Sequence, residues 1–347
     1  MQILITGGAG YIGGMLAERI AERGEVERII CIDKDPWPVH LSQHKKITWI
    51  QANLATDNWE EKIPSGVNIS HIVHTAWQIR DWYGGRETVR MWNLEGSRRV
   101  FSYAFTTPSV ERLVYFSSIS QYGARPENRI DLPFDESSPT RMTGYSYADD
   151  KYEGDKLLDH LYEIHSAKIP VLMIKPSTVT GPRGRVQMSK FSLASALSAD
   201  ANKKAIPRPI QKLLSFMPVI GHWRRQFVHE DDIFKAVECG LTSEKIHQGI
   251  SSYIVSPNDV IDGYMMAELM KKRAIFVPAW IARFGFFVLW HGTRGKIATA
   301  PGVWRFMAYP IVVDGSKISR DLDFSYGYSS REAIGKLEGY YANKIEK

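Results

Sequence analysis

A short β-branched run, QILIT at residues 2–6, breaks into GGAGYIGG and then into the helical pattern MLAERIAERG, which closes on Gly24. This order of strand, glycine turn and helix constrains the chain more than any other feature. Gly8, Gly10 and Gly13 stand in G-x-G-x-x-G spacing behind Gly7, and a second apolar run, Ile29–Ile32, ends on Asp33, 20 residues after Gly13. Glycines let a backbone turn tightly and approach a pyrophosphate, whose charge meets the free N–H groups and the dipole of the helix start. Gly7, Gly10, Tyr11, Ile12 and Gly13 are the residues expected at such a turn. Asp33 is placed to accept hydrogen bonds from ribose hydroxyls and to repel a 2′-phosphate, so NAD is expected over NADP, with Lys34 beside it acting in the opposite direction.

Continuous rather than alternating apolarity marks strands buried on both faces of a parallel sheet. Such runs recur at Thr48–Gln51, His71–Thr75, Arg112–Ser117 and Pro170–Lys175, separated by helical patterns of which Asn93–Phe105 and Tyr147–Ile164 are the clearest. Strands alternating with helices imply an α/β, Rossmann-type doubly wound parallel sheet with right-handed crossovers. Residues 1–176 read as mainly the nucleotide-binding core, and 177–347 as mainly a smaller substrate-binding region with segments returning to the core.

The 44 Lys and Arg against 38 Asp and Glu leave a net charge of +6, but the basic runs, such as Lys203-Lys204 and Lys271-Lys272-Arg273, lie far apart. A nucleic-acid binder concentrates such charge, so no nucleic-acid partner is expected. The two cysteines, Cys31 and Cys239, stand in apolar stretches and support neither a disulfide framework nor a metal site. His40 and His44 have no strong third ligand nearby, so no metal is expected. With the turn motif starting at Gln2 a signal peptide is not expected, and the expected location is cytoplasmic. The tract FVPAWIARFGFFVLW, residues 276–290, is too short to span a bilayer, which takes about 20 residues; a buried helix is the commoner reading, and peripheral contact with an interface the other.

Tyr147 and Lys151 stand four residues apart at a helix start and so share one face. A fixed ammonium beside a phenol favours the phenolate and brings acid/base chemistry within reach. An isolated Y-x-x-x-K is equally an ordinary helix face. Order along the chain distinguishes the two: the glycine turn, then SSISQYG at residues 117–123 after a buried strand, then the Tyr/Lys helix.

With these pieces in place, the sequence resembles the extended short-chain dehydrogenase/reductases, the NAD-dependent epimerase/dehydratase-like group. TGGAGYIG, ICID, HTAW, NLEGSRRV, LVYFSSISQYG, YSYADDKYEGDKLL, KPSTVTGP and RRQFVHEDDI carry the resemblance over nearly the whole chain. It implies Tyr147 as acid/base, Lys151 as its activator and a nicotinamide-ribose ligand, and Ser118 as the hydroxyl that positions the substrate oxygen. Ser118 is chosen by its spacing to Tyr122; its neighbours Ser117 and Ser120 fall on the cofactor and substrate sides. The resemblance further puts Asn53 and Leu54 beside the adenine, Thr75 and Ala76 beneath the cofactor, Pro176 and Thr178 near the nicotinamide amide, Trp77 toward the substrate, and Asn93 in a structural role. Arg225 falls where nucleotide-sugar epimerases hold a diphosphate, or else forms an ion pair with Asp231 or Asp232.

The usual adenine-facing Asp is Asn53 here, and the usual Arg before Pro176 is Lys175. Ile119 and Ser120 replace the Asp-Glu pair of the 4,6-dehydratases, which disfavours dehydration. Tyr145 is the weaker acid/base candidate, because its i+4 neighbour Asp149 opposes a phenolate. The function implied is an NAD-dependent oxidoreductase working on a secondary alcohol or ketone carbon; the alternatives are a nucleotide-sugar epimerase with tightly bound NAD and a non-catalytic NAD-sensing regulator. The small-molecule substrate is either a sugar nucleotide or, given the aromatic tract 276–309, an apolar hydroxy or keto compound. A homodimer through the helices of Asn93 and Tyr147 is the implied assembly.

Overall fold

The computed structural model describes residues 1–185 and 215–344. Lys203-Lys204, noted above for its charge, lies outside the described residues. Seven parallel strands form one sheet: β1 (Gln2–Thr6), β2 (Arg28–Asp33), β3 (Ile47–Gln51), β4 (His71–His74), β5 (Arg112–Phe116), β6 (Pro170–Pro176) and β11 (Gly249–Val255). Their spatial order is β3-β2-β1-β4-β5-β6-β11, so the chain winds to one side after β1 and to the other after β4. The two carboxyl ends at that reversal diverge, and an open α/β sheet binds ligands in the crevice so formed.

The central strands are mainly apolar because both faces are covered. Ile3, Ile5, Ile29, Cys31, Val114, Leu172 and Ile174 pack with Met15, Leu16 and Ile20 of helix α1 (Tyr11–Ala21) and Ile233 and Val237 of α4 (Glu230–Thr242). Their sheet neighbours Leu4, Ile30, Ile32, Ile72, Leu113 and Val171 face the other way, against Val100 and Phe101 of α2 (Arg86–Thr106) and Leu158 of α3 (Ser146–Ile164). Side chains that alternate across a strand thus fill two cores at once.

Helix α2 starts at Arg86, seven residues before the expected Asn93. RETVRMW lacks a clear apolar stripe, and the effective start signal is the Gly84-Gly85 pair, with Gly84 at φ +79°. Helix α3 has the expected extent. The Asp149 carboxylate ties its entry by accepting from the N–H and Oγ1 of Thr143 at 2.5 and 2.9 Å and from the N–H of Gly144 at 3.0 Å. Asp149 is therefore occupied by the incoming loop rather than set against the Tyr145 hydroxyl.

The remaining strands are small. β7 (Thr178–Thr180) pairs with β10 (Phe227–His229), β9 (Arg224–Arg225) with β12 (Ile261–Asp262), and β8 (Phe216–Ile220) with β13 (Arg273–Val277). β12 leads into α5 (Gly263–Leu269), and β13 into α6 (Ala279–Gly292), the helix of the aromatic tract. The buried-helix reading of this tract does not hold: only Ala282 and Trp290 of α6 are buried. Among the described residues no helix is long and apolar enough to cross a membrane.

Replacing Asp149 by Ala leaves three donors at the α3 entry without their acceptor. Urea denaturation should show a loss of about 1–3 kcal/mol, and an unchanged midpoint would refute the tie.

Candidate active site

The crevice between β1 and β4 is lined by Gly7, Gly10, Asp33, Asn53, Leu54, Thr75, Ala76 and Trp77, and by Trp92 and Asn93 of α2. Gly7 has φ +79°, and a Cβ there would lie 2.7 Å from the Ala76 nitrogen. A Cβ on Gly13 would fall on the Gly7 carbonyl oxygen. The turn thus needs both glycines, and the space it saves opens onto the start of α1. No side chain caps that helix, and no acid stands in its first turn, so its leading N–H groups are left for an anion.

Asp33 Oδ2 accepts from the Ala9 N–H and Oδ1 from the Asp35 N–H, both at 3.0 Å, which fixes the carboxylate at the crevice edge. Burial pushes its pKa up, opposed by these two N–H donors. Asn53 Oδ1 accepts from the Ala55 N–H at 3.0 Å, and this local turn holds the amide in the wall. Thr75 Oγ1 donates to the Thr6 carbonyl at 2.6 Å. His74 bridges Thr6 Oγ1 at 2.6 Å and Ser97 Oγ at 2.9 Å; burial drives its pKa down to about 3, so it stays neutral beneath the crevice.

Not every expected cofactor residue offers its side chain to this crevice. The Tyr11 hydroxyl turns away and donates to Glu230 at the start of α4, and the Ile12 side chain packs into the core. These two remain at the turn through their main chains. Ser117, Pro176 and Thr178 stand at the carboxyl ends of β5 and β6, outside the crevice lining.

Ser118, Tyr147 and Lys151 converge where β5 ends. Ser118 caps the short turn Ile119–Tyr122 by accepting from the Ser120 N–H at 3.1 Å. Its hydroxyl lies near enough to the Tyr147 phenol to pull that group's pKa down. Ser120 is buried, and its Oγ makes no hydrogen bond among the described residues. Lys151 Nζ donates to the Phe116 carbonyl at 2.5 Å and lies 3.5 Å from the centre of the Trp77 ring. An ammonium on an aromatic face gains from the ring quadrupole without a counter-charge.

The phenol does not follow the sequence expectation. Burial pushes the Tyr147 pKa up, the Ser118 hydroxyl pulls it down, and the Asp155 charge adds to the rise. Lys151 is not among the groups that shift it; its ammonium is held by the Phe116 carbonyl and the Trp77 ring. Burial also brings the Lys151 pKa down from 10.5 to about 7, against the charges of Asp155 and Asp150.

Asp155 is a site residue that motif reading missed. It follows Tyr147 and Lys151 at the next i+4 step, so its place on the same face of α3 was available in the sequence. Its carboxylate accepts from Ser117 Oγ at 2.8 Å and Gln121 Nε2 at 2.7 Å, with Lys175 Nζ at 3.5 Å. Behind it Asn93 pins the loop after β4, accepting from the Gln78 N–H at 2.7 Å and donating to the Gln78 carbonyl and to Asp150, both at 3.1 Å. Arg86 holds the other side of Asp150 with two hydrogen bonds.

Arg225 departs from one of its two expected roles. It is buried, with Nη1 donating to the carbonyls of Arg224 and Tyr309 at 2.7 and 2.8 Å, Nη2 donating to that of Phe306, and the guanidinium 4.1 Å above the Phe306 ring. The ion pair with Asp231 or Asp232 is absent: Asp231 pairs with Arg19 at 2.6 Å, and Asp232 accepts from Lys235 at 3.2 Å and the Gly327 N–H at 2.8 Å. Burial with no carboxylate partner among the described residues lowers the Arg225 pKa to about 9.

Residues 3–251 match the NAD-dependent epimerase/dehydratase family. The chain belongs to that family. An uncharacterized protein of Mycobacterium tuberculosis is 22% identical over 336 residues, covering 96% of this chain and 82% of that one. YtcB of Bacillus subtilis, an uncharacterized UDP-glucose epimerase, is 28% identical over 203 residues, 54% of this chain and 60% of its own. The fold matches UDP-glucuronic acid 4-epimerase of Bacillus cereus, crystallised with UDP-glucuronic acid and NAD, with a TM-score of 0.69 at 17% identity over 96% of both chains. It also matches WbmG of Bordetella bronchiseptica in complex with NAD, with a TM-score of 0.67 at 21% identity over 97% of this chain and 93% of that one. NAD is thus the cofactor on which this family depends.

A lysine whose folded pKa lies below its unfolded value makes stability rise with pH between the two, because only the unfolded chain is then protonated. For Lys151 the window runs from about 7 to 10.5. Urea midpoints should climb more steeply across it in the wild type than in Lys151→Met; parallel profiles would show that Lys151 keeps its charge when folded.

Proposed function

We propose that the protein is an NAD-dependent oxidoreductase acting at the carbon of a secondary alcohol or ketone. The observation that carries this reading is the convergence of Ser118, Tyr147 and Lys151 at the end of β5, with Lys151 set against Trp77 of the dinucleotide crevice. The residues fit NAD: the Gly7–Gly13 turn leaves room that a Cβ would fill, the uncapped start of α1 suits a pyrophosphate, and Asp33 suits two ribose hydroxyls. Asn53 and Leu54 line the adenine end, Thr75 and Ala76 the floor. Lys151, Pro176 and Thr178 serve the nicotinamide end. When bound, NAD supplies the site from which a hydride is given or taken.

In this reading Ser118 Oγ donates to the substrate oxygen, and Tyr147 Oη takes the alcohol proton during oxidation or returns it during reduction. Lys151 supplies positive charge near that oxygen, which favours the phenolate once the ammonium swings from Phe116. Trp77 and Ser120 face the substrate side. Residues 1–176 hold mainly the cofactor, and 177–347 mainly the substrate. A homodimer through α2 and α3 fits their side-by-side packing and the exposed Met91 between them. A cytoplasmic location goes with this assignment.

The names of the relatives favour a second reading, epimerisation of a sugar nucleotide with retained NAD. It requires Arg225 to exchange its main-chain carbonyls for a diphosphate. An apolar hydroxy or keto substrate makes no such demand.

Tyr147→Phe should keep NAD binding and lower kcat by roughly 10²–10⁴-fold; unchanged turnover would remove Tyr147 from the chemistry. Asp33→Ala should weaken NAD binding by roughly ten- to a hundredfold and narrow the preference over NADP, as read by isothermal titration with each cofactor. Equal NAD affinity would show that Asp33 does not touch the ribose. Mass spectrometry of small molecules released on denaturation separates the two readings: retained NAD with a sugar nucleotide supports the epimerase.

A further inference from the structure

We propose that the face built from β13 and α6 docks the protein on an anionic phospholipid surface. Its charge is the first ground. Between Glu268 and Asp314 the chain carries seven Lys and Arg and neither Asp nor Glu. Removing those seven leaves 37 basic against 38 acidic residues, so this one segment accounts for the whole positive balance. All seven, from Lys271 to Arg305, are exposed.

The second ground is the apolar surface set among those charges. Trp280, Phe284 and Phe287 are 72%, 66% and 62% exposed and follow i, i+4, i+7, so they share one face of α6, opposite the buried Ala282. β13 leads through Pro278 directly into the helix and adds Phe276 at 56% exposure and Ile275 at 46%. Soluble surfaces seldom cluster large aromatics in this way. A helix with an aromatic face, flanked by Lys and Arg, suits the boundary between headgroups and acyl chains, where the rings are buried and the cations meet lipid phosphates.

Charge decides between occupants. A second copy docking through the same face would set Arg273 and Arg283, with Lys271 and Lys272 beside them, against the same cations. Residues 186–214 of this chain carry five Lys and Arg against one Asp, a net charge of the same sign as the face. An anionic bilayer complements both the rings and the charge.

The face also reaches toward the crevice. Trp290 of α6 packs on Tyr83 at 5.8 Å, and Tyr83 Oη hydrogen-bonds His291 Nδ1 at 3.1 Å. Tyr83 lies in the loop that runs from Trp77 to α2, beside Trp82, whose ring lies 5.4 Å from that of Trp92 in the crevice wall. Docking through α6 therefore sets the substrate side of the crevice near the lipid.

Flotation of the full-length protein with large unilamellar vesicles tests the proposal. At low salt it should float with phosphatidylcholine vesicles containing phosphatidylglycerol, at least tenfold less with phosphatidylcholine alone, and progressively less as salt rises. The triple variant Trp280→Ser, Phe284→Ser, Phe287→Ser should lose flotation while still binding NAD, and Lys271→Gln with Lys272→Gln should weaken it several-fold. The double charge variant keeps the test decisive if the triple variant does not fold. Absence of wild-type flotation on the anionic vesicles overturns the proposal, as does flotation unaffected by both variants. If vesicles fail and the triple variant turns a sedimenting dimer into a monomer, the occupant is a second copy.

Discussion

The structure depends on a parallel sheet whose two faces are both denied to water. Such strands have no polar side to spare, so Ile3 and Ile5 face one core while Leu4 faces the other. Polar chemistry is confined to where strands stop. Asp33 follows β2's apolar run, Thr75 and Ala76 follow β4, Ser117 and Ser118 follow β5, and Lys175 with Pro176 ends β6. The helices on each face bring the other half of the chemistry: α1 offers its start to one side of the reversal, and α3 offers Tyr147, Lys151 and Asp155 to the other.

The site is economical with counter-charge. Lys151 is balanced by a carbonyl and an indole face, and Arg225 by three carbonyls and a phenyl ring, where solvent or carboxylates are the usual remedy. Both cations have lowered pKa values from burial, so each holds its proton less firmly than its type normally does. Asp155 and Asp150 are the carboxylates whose charge reaches Lys151, and Lys175 and the hydrogen bonds of Ser117 and Gln121 keep Asp155 in position.

The sheet and its glycine turn were largely legible in the sequence because their constraints are local. Glycine spacing, a continuous apolar run and a terminal Asp each have a meaning within a few residues, and the seven-stranded architecture follows their repetition. The contacts of Lys151 were not legible, since Trp77 and Phe116 approach it from β4 and β5 and no spacing along the helix encodes that. Asp149 misled for a related reason: i+4 spacing placed it near Tyr145, while the preceding loop claimed its carboxylate. The aromatic tract carried apolarity without a partner, and composition alone reads such a run as core. Only the fold shows which of its residues face outward.

The sheet's last strand carries a further consequence. β11 closes the edge beside β6 along its full length, from Gly249 opposite Pro170 to Val255 opposite Pro176, yet it is made more than 70 residues later. A nascent chain that has emerged only to Pro176 has every residue of the glycine turn and the Tyr/Lys helix but a bare hydrogen-bonding edge on β6. Residues 1–176 therefore do not complete the sheet by themselves: its last strand waits on translation of the rest, and the interval leaves a strand edge open to pairing.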